Sequence, residues 1–149
     1  MVSIKWYNCL WLNKGLATFM QHLAVDKMEA QFEVWPQFVI DYTIRALETD
    51  CSKHSRSTEA SIASPADVTD AIENIAVRKG ASLVRMLYKY LGPEDFRKGL
   101  SHFLTEYQQQ AVTSQNLWEA MEEATEKPVE AIFSTWTKNT GFPLVRGKD

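Results

Sequence analysis

Long apolar runs and an excess of basic charge are both missing from this 149-residue sequence. No apolar run approaches the roughly 20 residues that a membrane-spanning helix requires. The amino-terminal residues also lack the long apolar centre of a signal peptide. The sequence therefore predicts no membrane span, and we expect a cytoplasmic protein.

Cysteine and basic residues are too few for two further classes of protein. Cys9 and Cys51 cannot build a disulfide framework, and neither belongs to a C-x-x-C motif, so both are expected to be free thiols. Sixteen Lys and Arg stand against nineteen Asp and Glu, which gives a net charge of −3. Without a basic stripe to neutralise phosphates, nucleic acid is not an expected partner.

What the sequence does have is helical periodicity along most of its length. Apolar residues recur at intervals of three and four, as on one face of a helix. This spacing predicts helices at about 13–27, 30–47, 65–75, 79–90, 94–107, 113–124 and 129–138, with a loop over 49–64. Pro36 should start or bend the second helix. The predicted fold class is all-α, an irregular multi-helix lobe.

The same periodicity predicts which side chains form the core. All but Leu12, which directly precedes the first predicted helix, lie in predicted helices with apolar residues at this spacing. The predicted core residues are Leu12, Phe19, Leu23, Phe38, Leu83, Leu87, Phe103, Trp118 and Trp136.

An aromatic stretch at residues 6–19 contains one lone cation, Lys14. By itself such a stretch is typical of a packing element. Its sequence resembles W-W-N-x-L-W-L-N-E-G-F-A of the zinc aminopeptidases of the gluzincin clan, the puromycin-sensitive, glutamyl and endoplasmic-reticulum type. The puromycin-sensitive type is the most similar.

Further segments resemble that family in the same order and at similar spacing. They are Ala24-Val25-Asp26, Trp35-x-Gln37-Phe38, Arg45-Ala46-Leu47-Glu48-x-Asp50, Lys79-Gly80-Ala81-Ser82, Arg85-Met86-Leu87 and Trp136-Thr137-Lys138-x-x-Gly141-Phe142-Pro143-Leu144. The resemblance implies the helical, carboxy-terminal half of a thermolysin-like catalytic domain over residues 1–143. Residues 144–149 would begin the connection to a β-sandwich domain.

The departures from the family pattern fall at the positions of its chemistry. Lys14 stands where the family has its third zinc ligand, a Glu, and Val77 stands where it has the tyrosine that stabilises the oxyanion. Gln21 replaces a Glu that many members carry. The H-E-x-x-H motif, with two ligands and the general base, would precede Val2 and does not occur in the sequence. No zinc is therefore predicted for this chain, although the family binds it.

Other residues offer only weak alternatives for a site. His22, His54 and His102 lie on separate elements, and no second His lies one helical turn from any of them. His54 with Asp50 and Cys51 could form a metal trio, and Cys51 with His54 a nucleophile and base. A solvated loop explains them better, as a solvated face explains the acidic residues from Glu119 to Glu126.

Two functions therefore remain open. One is an aminopeptidase-like protein or fragment without peptidase activity. The alternative is the downstream part of an active zinc aminopeptidase that releases amino-terminal residues from peptides. In either case Trp6, Tyr7, Leu10 and Trp11 are expected to form an exposed surface that contacts peptides or another protein.

Overall fold

A computed structural model describes residues 1–53 and 55–147, without the side chains at positions 70, 71 and 73. Over these residues the fold is helical, with two short strands. The helices are α1 (Leu10–Met28), α2 (Val34–Phe38), α3 (Arg45–Asp50), α4 (Asp70–Leu91), α5 (Pro93–Glu106), α6 (Ser114–Thr125) and α7 (Val129–Lys138). The strands β1 (Ser3–Ile4) and β2 (Ala111–Val112) pair in parallel. The predicted all-α class is confirmed.

The two longest helices, α1 and α4, form the centre of the lobe. They approach closely because a glycine of each lies at the contact. A Cβ on Gly15 would stand 2.6 Å from the backbone carbonyl carbon of Gly80 and 2.8 Å from the backbone nitrogen of Ala81. No side chain fits at position 15 without a backbone shift, so the glycine sets the distance between the helices.

The predicted second helix is divided into several segments. A short 3₁₀ turn at Ala30–Phe32 ends at Glu33, whose φ of 45° is left-handed. α2 then begins, with Pro36 in its first turn, where a missing N–H costs little. A π-helical segment, Val39–Ile44, joins α2 to α3. The helix does begin near Pro36, as predicted, but its π-helical middle has no signal in the apolar spacing.

Two helices that the sequence separates are a single helix in the structure. We predicted a break between about residue 75 and Lys79, whereas α4 runs unbroken from Asp70 to Leu91. Its amino-terminal cap is Thr69, whose hydroxyl accepts the N–H of Ile72 at 3.5 Å. Ser64 instead caps a separate 3₁₀ turn, its N–H donating to Asp67 at 2.8 Å. Because Ser64 and Thr69 are both suitable caps and lie close together, the start of this helix was predicted at the earlier one.

The predicted core is largely confirmed. Seven of the nine residues are buried, and Leu23 and Trp136 are half-buried. The buried members are Leu12, Phe19, Phe38, Leu83, Leu87, Phe103 and Trp118.

The predicted exposed aromatic surface is half wrong. Leu10 and Trp11 are buried, with Trp11 only 1% exposed, because Trp11 packs inside the lobe. Its ring stacks on Trp118, with centroids 5.5 Å apart, and its Nε1 donates to the Ser114 hydroxyl at 3.0 Å. Trp6 and Tyr7 do remain exposed. The surface expected to contact a peptide or another protein is therefore reduced to these two side chains.

No helix in the described part of the chain combines the length and the apolar character needed to cross a membrane.

Candidate functional site

Lys14 lies in the second turn of α1, one residue before the contact with α4. Its side chain is exposed. The adjoining Gly15 fixes the backbone of this turn against Gly80, so the direction in which residue 14 leaves the helix is set by a rigid contact. By the family resemblance this is the position of the zinc ligand, and a cation occupies it here.

Val77 lies on the other helix of the same contact, about one turn before Gly80. It is half-buried and lines an open cleft of about 540 Å³ with Asp41, Tyr42, Arg45 and Arg78. The structure thus brings Lys14 and Val77 onto facing helices, each within a turn of one glycine contact. The cleft leaves space for a larger side chain at position 77.

The remaining site residues named from the sequence do not gather there. Gln21 is exposed on α1. His22 Nδ1 donates to the Thr18 carbonyl oxygen at 2.8 Å, and its ring packs edge-on against Phe38, 5.1 Å between centroids. His102 contacts Glu123 at 2.8 Å and links α5 to α6.

The weak metal and nucleophile hypotheses involve a residue outside the described ones, His54. Of its suggested partners, Cys51 is exposed and its thiol donates to the Glu48 carbonyl oxygen at 3.1 Å. Asp50 is 4% exposed and is engaged by other groups. Its carboxylate is therefore already saturated with donors.

Those donors make Asp50 the centre of a buried polar junction. The Lys79 ammonium lies 2.8 Å from its Oδ2, and both side chains are almost fully buried. The Gly141 N–H donates to Oδ1 at 2.8 Å, and the Ser55 hydroxyl donates to the same oxygen. Lys79 also donates to the carbonyl oxygens of Asn139 and Gly141, each at 3.1 Å. The junction ties α3, α4 and the segment after α7 together.

The hydrogen bonds of this junction hold Asp50 in its charged form. Burial alone would raise the pKa of the Asp50 carboxyl, because it disfavours the ion. The bonds from Lys79, Ser55 and Gly141 outweigh that effect, and the pKa lies below its ordinary value. A buried pair that satisfies both partners in this way is costly to break from one side.

We did not predict this junction, although the sequence carries a signal for it. Lys79 lies at helical spacing on the apolar stripe of α4, and a Lys there is rarely buried without a partner. The buried apolar members of that stripe are Ile72, Ala76, Leu83 and Leu87. Nothing in the sequence identifies Asp50 as the partner, because the two residues are joined only through the fold.

The donor groups around Lys14 do not fit the zinc that the family resemblance implies. Zinc sites use thiolate, imidazole and carboxylate donors, whereas an ammonium has no lone pair and repels the ion. Among the residues that the structure describes, no three His, Cys, Asp or Glu side chains are grouped to hold a metal ion. The side chain at position 14 is therefore chemically unsuited to the ligand role that the resemblance gives to this position.

The chain is similar to known proteins over most of its length. Residues 1–136 match the family model described as the Peptidase family M1 domain. Aminopeptidase M1-C of Oryza sativa subsp. japonica is 38% identical over 148 residues, 99% of this chain and 17% of that protein. Tricorn protease-interacting factor F2 of Thermoplasma acidophilum is 37% identical over 145 residues, which is 97% of this chain and 18% of that protein.

Glutamyl aminopeptidase of Sus scrofa is 32% identical over 149 residues, which is 100% of this chain and 16% of that protein. The chain thus spans less than a fifth of the length of these relatives. The family match covers nearly the whole chain, including both helices of the glycine contact. The chain belongs to peptidase family M1.

Proposed function

We propose that this chain is an aminopeptidase-like M1 segment that does not support peptide hydrolysis. The observation that carries the proposal is Lys14, held in the second turn of α1 beside the Gly15–Gly80 contact. In the family resemblance this position supplies a carboxylate to zinc. A cation there removes one ligand and adds charge of the wrong sign, so the substitution opposes metal binding in two ways.

Val77 supports the same proposal independently. The family's tyrosine donates a hydrogen bond to the oxyanion of the tetrahedral intermediate, and an isopropyl group cannot donate. Losing one oxyanion donor typically costs about a hundredfold to a thousandfold in kcat. Both positions lie within a turn of the close Gly15–Gly80 contact, so the helices that carry them are packed together. The proposal is therefore a change of side chains on a packed helical frame.

The competing proposal is an active enzyme in which this segment follows residues that supply the other ligands. Two of the relatives above are named aminopeptidases, which favours activity in the family at large. The two proposals differ in what they expect of Lys14 and Val77. If the segment is active as it stands, restoring the family residues at these positions should gain nothing.

A graft tests this directly. Residues 1–143 would replace the matching segment of an active M1 relative, first unchanged, then as Lys14→Glu, as Val77→Tyr, and as the double variant. We expect no hydrolysis of an aminoacyl substrate from the unchanged graft and little from either single variant, because ligands and oxyanion donors act as a unit. The double variant should regain measurable, metal-dependent hydrolysis.

The matched control is Lys27→Glu, an exposed position on α1 that undergoes the same change of charge as Lys14→Glu. Added to the unchanged graft, it should restore nothing, which would separate ligand restoration from a general change of charge. Zinc content of each purified graft gives a second measurement besides activity. Stoichiometric zinc and turnover in the unchanged graft would defeat the inactive proposal. A folded double variant without activity would show that the scaffold has diverged as well.

A further inference from the structure

A second cavity has Asp50 and Lys79 of the polar junction in its wall and shares no lining residue with the cleft at Val77. Its volume is about 310 Å³, within the range of small-molecule sites, and it lies between α3, α4 and the carboxy-terminal part of the chain. Most of its wall is apolar. The larger apolar side chains are Leu47, Leu83, Met86, Trp136 and Phe142. Trp136 and Phe142 offer aromatic surface for a flat apolar group.

The charged groups of this cavity do not balance. Asp50 is the one acid among the described lining residues, and Lys79 already neutralises it at 2.8 Å. Arg85 and Lys89 line the same cavity and add two positive charges. Lys89 is exposed, so its ammonium can reach a ligand from the solvent side. The cavity is therefore apolar in shape and cationic in net charge.

Arg85 supplies a second, independent observation. Its guanidinium lies over the rings of Trp35 and Phe38, 5.3 and 5.6 Å from their centroids, which fixes the plane of the group. A planar guanidinium held in this way suits a carboxylate, because its fork of donors matches the two carboxylate oxygens.

We propose that this cavity binds a small apolar monocarboxylate. Its carboxylate would accept from Arg85 and be attracted by Lys89, and its apolar body would pack against Trp136 and Phe142. Asp50 in the cavity wall already pairs with Lys79, so it does not compete with the ligand for Arg85 and Lys89. This site is separate from the proposal about hydrolysis, and its test does not depend on any peptidase activity.

Binding of 3-phenylpropionate to the whole chain tests the site, with 3-phenylpropionamide as its uncharged counterpart. The readout is the indole N–H signal of Trp136 in a ¹H–¹⁵N correlation spectrum, assigned with Trp136→Phe. We expect a saturable shift with a dissociation constant on the order of 1 mM, as ligands of this size commonly give. The signals of the core residues Trp11 and Trp118 should not move. The amide should bind at least tenfold more weakly than the acid.

Two variants separate a built site from general attraction. Lys89→Glu should weaken binding of the acid about tenfold, and Arg85→Lys should do the same by removing the planar fork while keeping the charge. Lys5→Glu is the control, because Lys5 is exposed, lies outside the cavity and changes the net charge by the same amount. Equal binding of acid and amide, no saturable shift of Trp136, or equal weakening by Lys5→Glu would each overturn the proposal.

Discussion

Lys79 and Gly80 are neighbours on α4, yet they serve two junctions of opposite kinds. Gly80 meets Gly15 in an apolar contact in which two backbones touch. Lys79 enters a polar junction with Asp50 and the backbone at Asn139 and Gly141. The first is held by shape and the second by charge and hydrogen bonds. One short segment of helix therefore joins α1 on one side and the end of the chain on the other.

The difference shows which kind of change each junction resists. The glycine contact has no room for a Cβ at position 15, but it contains no group that titrates. The polar junction depends on the protonation of Asp50 and on both partners being present. Neither Lys14 nor Val77 is among the residues whose contacts form the two junctions, so a change at either position need not disturb them.

Removing the Lys79 charge should have the largest effect. In Lys79→Met the buried Asp50 carboxylate loses its counter-ion, and two carbonyl oxygens lose their donor. We expect a loss of about 3–5 kcal/mol in the free energy of unfolding, measured by urea denaturation followed by circular dichroism. The backbone amide NMR signals of the segment after α7 should also shift, because the junction positions that segment.

A double variant shows whether that loss comes from the uncompensated charge. Asp50→Asn with Lys79→Met removes both ions and should be destabilised by clearly less than the sum of the two single changes. Strict additivity would mean that the two groups do not act as a pair. The polar junction would then not depend on the pairing of its two charges.

Adding one methyl group at the glycine contact should come next in size. In Gly15→Ala the new Cβ meets backbone atoms of α4 at 2.6 and 2.8 Å, and backbone cannot rotate aside as a side chain can. We expect a net loss of about 2–3 kcal/mol in the free energy of unfolding, after about 1 kcal/mol regained from the better helix propensity of Ala. Urea denaturation measures it.

Two glycines provide matched controls for this steric effect. At Gly80 a Cβ would lie 3.2 Å from the Trp11 Cβ, so Gly80→Ala should cost less than Gly15→Ala. At Gly147 it would meet nothing within 4 Å, and Gly147→Ala should change stability by no more than about 0.5 kcal/mol. If Gly15→Ala were as stable as Gly147→Ala, α1 and α4 could separate at little cost.

The acid dependence of the polar junction should be the smallest effect. Because the pKa of Asp50 is lower in the folded than in the unfolded state, its stabilisation is present above the unfolded pKa and is lost as pH falls through the folded pKa. The difference in unfolding free energy between the wild type and Asp50→Asn should therefore shrink below about pH 4.

Stability of both proteins measured from pH 6 to pH 3 checks this. The double variant Asp50→Asn with Lys79→Met lacks both ions and serves as the control. In Lys79→Met the Asp50 carboxyl still titrates. The difference in unfolding free energy between Lys79→Met and the double variant should therefore also change as the pH falls. A difference between the wild type and Asp50→Asn that grows as the pH falls would contradict the assigned direction.

Much of the helical fold could be predicted because its signals are local. Apolar spacing placed α5 within a residue at each end and α7 with no error, and it identified the buried Phe19 and Phe103. The parallel pairing of β1 with β2 was missed, since two strands of two residues show no alternation and meet only through the fold. The cytoplasmic location and the division of the chain after residue 143 stay predictions.

For the candidate site, too, local sequence features could be predicted and long-range contacts could not. The sequence by itself determined family membership, the helical class and the identity of Lys14 and Val77, because each depends on residue type and order along the chain. Only the tertiary structure decided that Trp11 is buried against Trp118, that Asp50 pairs with Lys79, and that Arg85 and Trp136 line one cavity. These are contacts between residues far apart in the chain, and burial, charge pairing and cavity shape exist only after the helices have packed.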